Sequence, residues 1–457
     1  MKNYILNPKS LENEGIRTVI IASPDLNGRL MGRRVPVERF PAVLKNGVDI
    51  SSCVYGWDLE QGLELIDADV FPITGMHNGV KDVTLKVDLN TLRRAAWLEN
   101  VAICFADPYD PETGEALSLS PRVILKNELA KYKALGIKPM MGTELEFYLF
   151  NNEPRQLRLN GFRDLNPTTL IPADFQIQEG NLFEPFFQKL RDDLARSGIE
   201  VEAAQSEWGS GQWEMTFAYG EPLEMADRHS LYKMAVRDSA AMAGMSATFM
   251  ARPLNDQPGS SCHVHFSMQT LAENTPIFWD DSADRNLSSV MKQSIAGVLE
   301  HTPEFMAWYS PTINSWRRTL SEDVAGFGRT WSFDNRTTTV RVLGHKPEQL
   351  RFEYRIPGAD TVPYLTLTAI LASARDGIDR ELSLHPEVVG NAYKLPKDEA
   401  VPNSLLEAVQ EFEKSAFVRD LIGDVNTNHM SVLLHHEWNV FHSQTSSWDL
   451  ERYFDRI

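Results

Sequence analysis

Lys138-Pro139-Met140-Met141-Gly142-Thr143-Glu144-Leu145-Glu146-Phe147-Tyr148-Leu149-Phe150 is the stretch on which the fold turns. It reads as an apolar strand carrying two glutamates at positions i and i+2, which a strand projects from one face while Leu145 and Phe147 go to the other. Two carboxylates side by side repel each other unless a cation lies between them. Three more segments repeat the pattern. In Cys262-His263-Val264-His265-Phe266-Ser267 both histidines and the serine share a face, and in Arg351-Phe352-Glu353-Tyr354-Arg355 an Arg-Glu-Arg ladder does so. Glu207-Trp208-Gly209-Ser210-Gly211-Gln212-Trp213-Glu214 sets two more carboxylates around a glycine-containing bend. Any one of these alone fits the solvated face of a half-buried strand. Together, carboxylates and imidazoles without thiolates suit Mg²⁺ or Mn²⁺ better than structural zinc. The joint reading is an oxygen-rich metal site beside an arginine-lined anion site.

Outward from these strands, 457 residues exclude a single small module, and 42% hydrophobic with 24% charged residues allows a large core. The balance of 45 basic against 63 acidic residues, net −18, works against binding a phosphate backbone, so no nucleic-acid partner is expected. Cys53, Cys104 and Cys262 are odd in number and far apart, which suggests neither a disulfide framework nor a thiolate zinc site. The opening residues hold no signal-like apolar run, and the charge-free stretch 239–251 is too short to span a bilayer. A soluble, cytoplasmic protein without membrane contact is the expectation. Short strands fill the first hundred residues, with a hairpin over IRTVIIAS and RLMGRRVP. Strands and helices then interleave, including strands over ATFMA and TTTVRV. The segment 107–121, rich in Pro, Asp and Ser, separates a β-rich N-terminal domain (14–112) from a C-terminal catalytic domain (119–457) of α/β or α+β class.

Other signals lead nowhere. The chain has no GxxxxGK[ST], so a nucleotide would not use a P-loop. His436-Glu437 lacks the second histidine of HExxH, because that position is Val440, and His435, His436 and His442 read as helix packing and surface. Cys262 points away from His263 and reads as a core residue.

In order and register, GTELEFYLF, SEWGSGQWEM, GSSCHVHFSM, NSWRR, DNRTTTVRV and RFEYRIPGADTVPYLTLTAIL resemble the glutamine synthetase family over about residues 120–380. The resemblance implies an α+β fold, in which an N-terminal β-grasp domain precedes a catalytic domain whose curved antiparallel sheet forms a funnel. It also implies a homo-oligomer of stacked rings, a dodecamer by the family's pattern, with each active site completed by a neighbour. The implied chemistry is phosphorylation of the γ-carboxylate of L-glutamate by ATP, followed by displacement of phosphate by an amine. By position, Glu146, Glu207 and Glu214 resemble the ligands of one divalent cation, and Glu144, His263 and Glu353 those of a second. His265, Ser267, Arg341 and Arg351 correspond to nucleotide-side residues. Arg336 matches the arginine that stabilises the phosphoryl in flight, Arg318 and Arg355 match those holding glutamate, and Gly259 matches the glycine lying against it. Asp82 matches an aspartate of the neighbour's acidic patch, and Asp49 matches a second one more loosely.

One departure bears on function. Where ammonia-using members carry a flap glutamate that holds ammonium and takes its proton, this chain has Val324, with Glu322 and Asp323 nearby but out of register. Tyr55 and Trp57 are expected to add apolar character to the amine region. The reading is therefore an ATP-dependent ligase joining glutamate to an organic amine, aryl or alkyl, with Mg²⁺ or Mn²⁺. Authentic glutamine synthetase is the alternative, and an inactive regulatory relative is a third.

Overall fold

The computed structural model describes residues 4–67, 71, 74–320 and 328–457. The N-terminal sheet contains β1 (Thr18–Pro24), β2 (Leu30–Pro36), β3 (Val48–Ser51), β4 (Asp82–Val87), β5 (Arg93–Arg94) and β6 (Val101–Tyr109). Their order is β2-β1-β6-β4-β3, with β5 paired to β6. The expected β1–β2 hairpin forms around Asp25, whose carboxylate accepts from the backbone N–H of Asn27 (3.0 Å) and Arg29 (2.8 Å) and from Arg29 Nε (2.7 Å). β1 also lies parallel to β6, a non-local pairing that hairpin signals cannot reveal.

The second sheet is built from β7 (Ile137–Phe150), β8 (Val201–Ser206), β9 (Gln212–Phe217), β10 (Ser246–Thr248), β11 (Cys262–Thr270), β12 (Trp331–Phe333), β13 (Val340–Leu343) and β14 (Arg351–Tyr354). It runs β12-β13-β14-β11-β7-β9-β8, with β10 on β7, and is antiparallel except for β12 with β13. Alternation works as the sequence implies: Leu145, Phe147, Cys262, Val264, Phe266 and Phe352 are buried. On this apolar face Phe147 packs on Phe249 and Tyr232, the latter from the helix Pro222–Met242, while Phe266 packs edge-on to Phe352. Burial pushes the Cys262 thiol up to about 12, so it behaves as the expected core residue. Proline opens the helices Pro121–Ala134, Pro222–Met242 and Pro363–Asp379, where its missing N–H costs nothing.

Two expected strands are shorter than their sequences suggest. ATFMA pairs only through Thr248, because Met250 N then donates to Thr248 Oγ1 (3.2 Å) and Ser260 N to the Ala251 carbonyl (2.7 Å). In TTTVRV the threonines serve a turn instead: Thr337 N donates to Asn335 Oδ1 and Thr338 N to the Asn335 carbonyl. None of the helices among the described residues is long and apolar enough to cross a membrane.

A buried ion cluster joins the two sheets. Arg122, fully buried near the start of its helix, donates to Asp88 (2.9 Å) and Asp107 (2.8 Å) on the N-terminal side. On the other side it grips both oxygens of Asp227 (3.0 Å each), which also accepts from Tyr364 Oη (2.8 Å). Truncating one partner of a buried cluster leaves uncompensated charge. Arg122→Met should therefore lower unfolding free energy by about 3–5 kcal/mol in chemical denaturation at pH 7. The exposed Arg191–Glu184 pair is a control, and Arg191→Ala should cost no more than about 1 kcal/mol.

Candidate active site

Strand register assembles the four sequence segments into three rows on one face of the second sheet. Arg341, Glu353 and His265 are cross-strand neighbours on β13, β14 and β11. His263 on β11 faces Glu144 on β7. Glu146 on β7 faces Glu214 on β9, which in turn faces Gln205 on β8. Glu207 follows β8 directly, and its backbone N–H bonds to the Gln212 carbonyl at 2.9 Å.

At one end the charges are compensated. Arg355 Nη1 and Arg341 Nη1 donate to the two oxygens of buried Glu353 at 2.5 and 3.2 Å. Arg351 Nε donates to His265 Nδ1 (3.1 Å), so the proton of His265 lies on Nε2 and goes to Glu144 Oε1 (2.7 Å). Glu144, His265 and Glu353 place one ligand atom each within 4.8 Å of one another. His263 Nδ1 lies 3.6 Å from Glu144 and 3.4 Å from Glu353, and its buried Nε2 has no hydrogen-bond partner among the described residues. Both imidazoles therefore reach Glu144, where the sequence pattern points to His263 alone as a ligand. Burial and then the Arg355 charge hold His263 below its ordinary pKa, leaving it neutral and able to ligate. Burial alone would raise Glu144, but hydrogen bonds from His263 and His265 outweigh it and hold the carboxyl well below its usual range.

The other end is uncompensated. Glu146 accepts from Gln212 Nε2 (2.8 Å) and Ser261 N (2.9 Å), while Gln205 Nε2 reaches Glu214 (2.9 Å) and Glu207 (3.3 Å). These donors are neutral. Burial, then Glu146, pushes Glu207 up to about 8; burial, then Glu144, Glu146, Glu207 and Glu353, pushes Glu214 up to about 10. An oxygen-rich donor set, an orphaned imidazole nitrogen and crowded carboxylates fit divalent cations.

Several sequence-identified residues take unexpected positions. Arg318 is fully buried, and its guanidinium donates to the Ile356 carbonyl (2.7 Å), Ser261 Oγ (2.8 Å) and the Arg355 carbonyl (3.3 Å). A Cβ on Gly259 would stand 2.5 Å from Arg318 Cγ, so packing against this side chain already demands glycine there. Arg355 is also buried, with Nε lacking a partner among the described residues, whereas Arg336 is exposed on the turn before β13. Ser267 sits on β11 opposite Met140. Asp49 and Asp82 lie on β3 and β4 of the N-terminal sheet, away from the three rows, and Asp49 accepts from Thr84 Oγ1 (2.6 Å). Glu322, Asp323 and Val324 lie outside the described residues. Tyr55 is corrected: it is fully buried and bonded to Ser23 Oγ (2.9 Å), so it lines no amine site. Gln205 and Gln212 were missed, although each stands two residues before a glutamate and so shares its face.

The raised pKa values have a consequence for stability. Between the ordinary carboxyl value near 4.5 and their folded values, Glu207 and Glu214 hold protons that the unfolded chain releases. Metal-free stability should therefore be full below about pH 4.5 and fall as pH rises through about 8 and about 10. Thermal denaturation with and without saturating Mg²⁺ checks this. The slope should flatten with the cation, and in metal-free Glu214→Gln it should be shallower.

The glutamine synthetase catalytic-domain model matches residues 118–453. The γ-glutamylethanolamide synthetase GlnA4 of Streptomyces coelicolor is 33% identical, covering 97% of this chain and 93% of its own length. The glutamate–isopropylamine ligase of a Pseudomonas species is 34% identical over 100% of this chain and 99% of its own. The solved structure of apo GmaS without ligand shares the fold, with a TM-score of 0.84 over 98% of this chain and 99% of that one at 24% identity. Enzymes of this family use ATP and divalent metals. The chain belongs to the glutamine synthetase family and is an ATP-dependent carbon–nitrogen ligase.

Proposed function

We propose that this chain joins the γ-carboxylate of L-glutamate to a small aliphatic amine through a γ-glutamyl phosphate. The carrying observation is a single sheet face whose carboxylates are uncompensated at the β8–β9 end and paired to arginines at the β13–β14 end. Kinship with enzymes named for an ethanolamide product and for isopropylamine as substrate supports an aliphatic rather than an aromatic amine. Glu146, Glu207 and Glu214 would hold one Mg²⁺ or Mn²⁺, and Glu144, Glu353 and His263, with His265 alongside, a second. When bound, such ions offset charge on the transferring phosphoryl group. Arg341 and Arg351, bridged to the rows through Glu353 and His265, would face the nucleotide together with Ser267.

Arg355 carries an unpartnered buried Nε and would take a glutamate carboxylate, with Arg318 braced behind it on backbone carbonyls. Arg336 stands exposed and would turn inward to the phosphoryl. Stacked rings, with Asp82 and Asp49 reaching a neighbour's site, account for the distance of those aspartates from the rows in one chain; sedimentation should give a multiple of six subunits.

Two measurements test these roles. Arg355→Lys keeps charge but loses the planar fork, so the glutamate KM should rise by the equivalent of about 1.5–3 kcal/mol. Arg336→Lys should instead depress kcat more than it raises the glutamate KM, since its partner charge grows in the transition state. For the amine, kcat/KM for isopropylamine or ethanolamine should exceed that for ammonium, and Val324→Glu should improve ammonium use. Ammonium as the best substrate of the unmodified enzyme would identify a glutamine synthetase instead.

A further inference from the structure

The second sheet's other face borders a cavity in which two cations stand without a carboxylate partner. The cavity measures about 920 Å³ and lies between the sheet's apolar side, the β1–β2 turn and the helix Asp424–Ser443. Phe249, which packs on Phe147 from the face opposite the glutamates, is part of its wall. Lys233 and Arg237 stand one turn apart on the helix Pro222–Met242, and both lie over the Phe249 ring, 5.4 and 5.5 Å from its centre. Like charges at i and i+4 repel each other. Lys233 Nζ donates to the Ala359 carbonyl (2.9 Å), and Arg237 makes no hydrogen bond or ion pair among the described residues. The carboxylates that line the cavity are engaged elsewhere. Asp238 accepts from Trp97 Nε1 (2.9 Å), and Asp360 accepts from Thr312 Oγ1 (2.9 Å) and Ser315 Oγ (2.6 Å). Asp58 lies 3.2 Å from His436 Nε2, and burial raises the Glu437 carboxyl, which weakens it as a counter-charge. Burial and then Arg237 outweigh the more distant Asp360 and push Lys233 down to about 8. A carbonyl and an aromatic face are neutral partners, so this corner suits an anion, by the same physics that suits the β8–β9 row to a cation. Away from the corner, Trp308, Met430, Leu434 and Phe441 offer apolar wall, and the volume is that of a small-molecule site.

We propose that this cavity is a second ligand site, in which Lys233 and Arg237 take the carboxylate of a small organic acid whose aryl or branched apolar body packs against Trp308, Leu434 and Phe441. The planar fork of Arg237 matches a carboxylate, and the apolar walls disfavour a bare inorganic anion. The site is separated from the glutamate rows by the sheet itself, and the assignment does not depend on which amine the ligase uses.

The test uses the full-length enzyme with glutamate, ADP and Mg²⁺ saturating, so that the probe cannot report on the catalytic site. Calorimetric titration compares 3-phenylpropionate with its neutral amide and with acetate. The acid should bind saturably, at least about tenfold more tightly than the amide, which lacks the charge, and than acetate, which lacks the body. Arg237→Gln should weaken the acid at least about tenfold while kcat and the glutamate KM stay within about twofold. Relief of like-charge crowding should leave the Tm of ligand-free Arg237→Gln equal to or above that of wild type. Wild type supplies a readout that needs no variant. With limiting acetic anhydride at pH 8, peptide mass spectrometry should find Lys233 acetylated in the free enzyme and protected by 3-phenylpropionate, whereas surface Lys189 reacts equally in both. Equal affinity for acid and amide, or for acid and acetate, would overturn the proposal. So would unchanged affinity in Arg237→Gln, which with a lowered Tm would give that arginine a structural role. A Lys233 that resists the reagent in the free enzyme would show the cavity already filled in the assembled protein, as by a second copy of the chain, and would overturn it as well.

Discussion

Like-charge repulsion on one sheet face is the constraint around which this molecule is organised. Strand register brings Glu144, Glu146, Glu214 and Glu353 onto the same surface, with Glu207 at its edge. The fold tolerates this in two ways. At the β13–β14 end Arg341, Arg355 and the imidazoles hold Glu353 and Glu144 ionised. At the β8–β9 end the side-chain amides of Gln205 and Gln212 and the Ser261 N–H supply neutral donors, and burial with like-charge crowding raises Glu207 and Glu214 so that they retain protons. Neutral donors position a carboxylate without satisfying its charge, which suits this row to a cation.

The rigidity of the opposite face makes this possible. Leu145, Phe147, Val264 and Phe266 alternate with the charged residues and are buried beneath helices, so a register slip of one residue would exchange core for site. Arg122 extends the same frame to the N-terminal sheet through Asp88 and Asp107. Two depths of arginine follow from the design. Arg318 is locked on carbonyls with Gly259 against its stem, whereas Arg336 is exposed.

Much of the site was legible because a strand's period is two: Glu144 with Glu146, His263 with His265, and Arg351 with Glu353 and Arg355 declare a shared face without any knowledge of neighbours. Which strand lies beside which is a tertiary fact. Glu214 opposite Glu146, and His265 opposite Glu353, could be placed only through register. The parallel pairings of β1 with β6 and of β12 with β13 were hidden for the same reason. Tyr55 erred in the other direction. Its place in the sequence suggested a wall of the amine region, but its burial and its bond to Ser23 make it core.

The crowded face is tested most directly by titrating the metal-free protein with Mn²⁺ in a calorimeter at pH 7, in buffers of different ionisation enthalpy. If Glu207 and Glu214 carry protons until a cation arrives, binding will show at least two sites per chain and net proton release, visible as a heat that scales with the buffer. Fewer than two sites, or a heat independent of the buffer, would contradict the picture of a carboxylate face held open for metal.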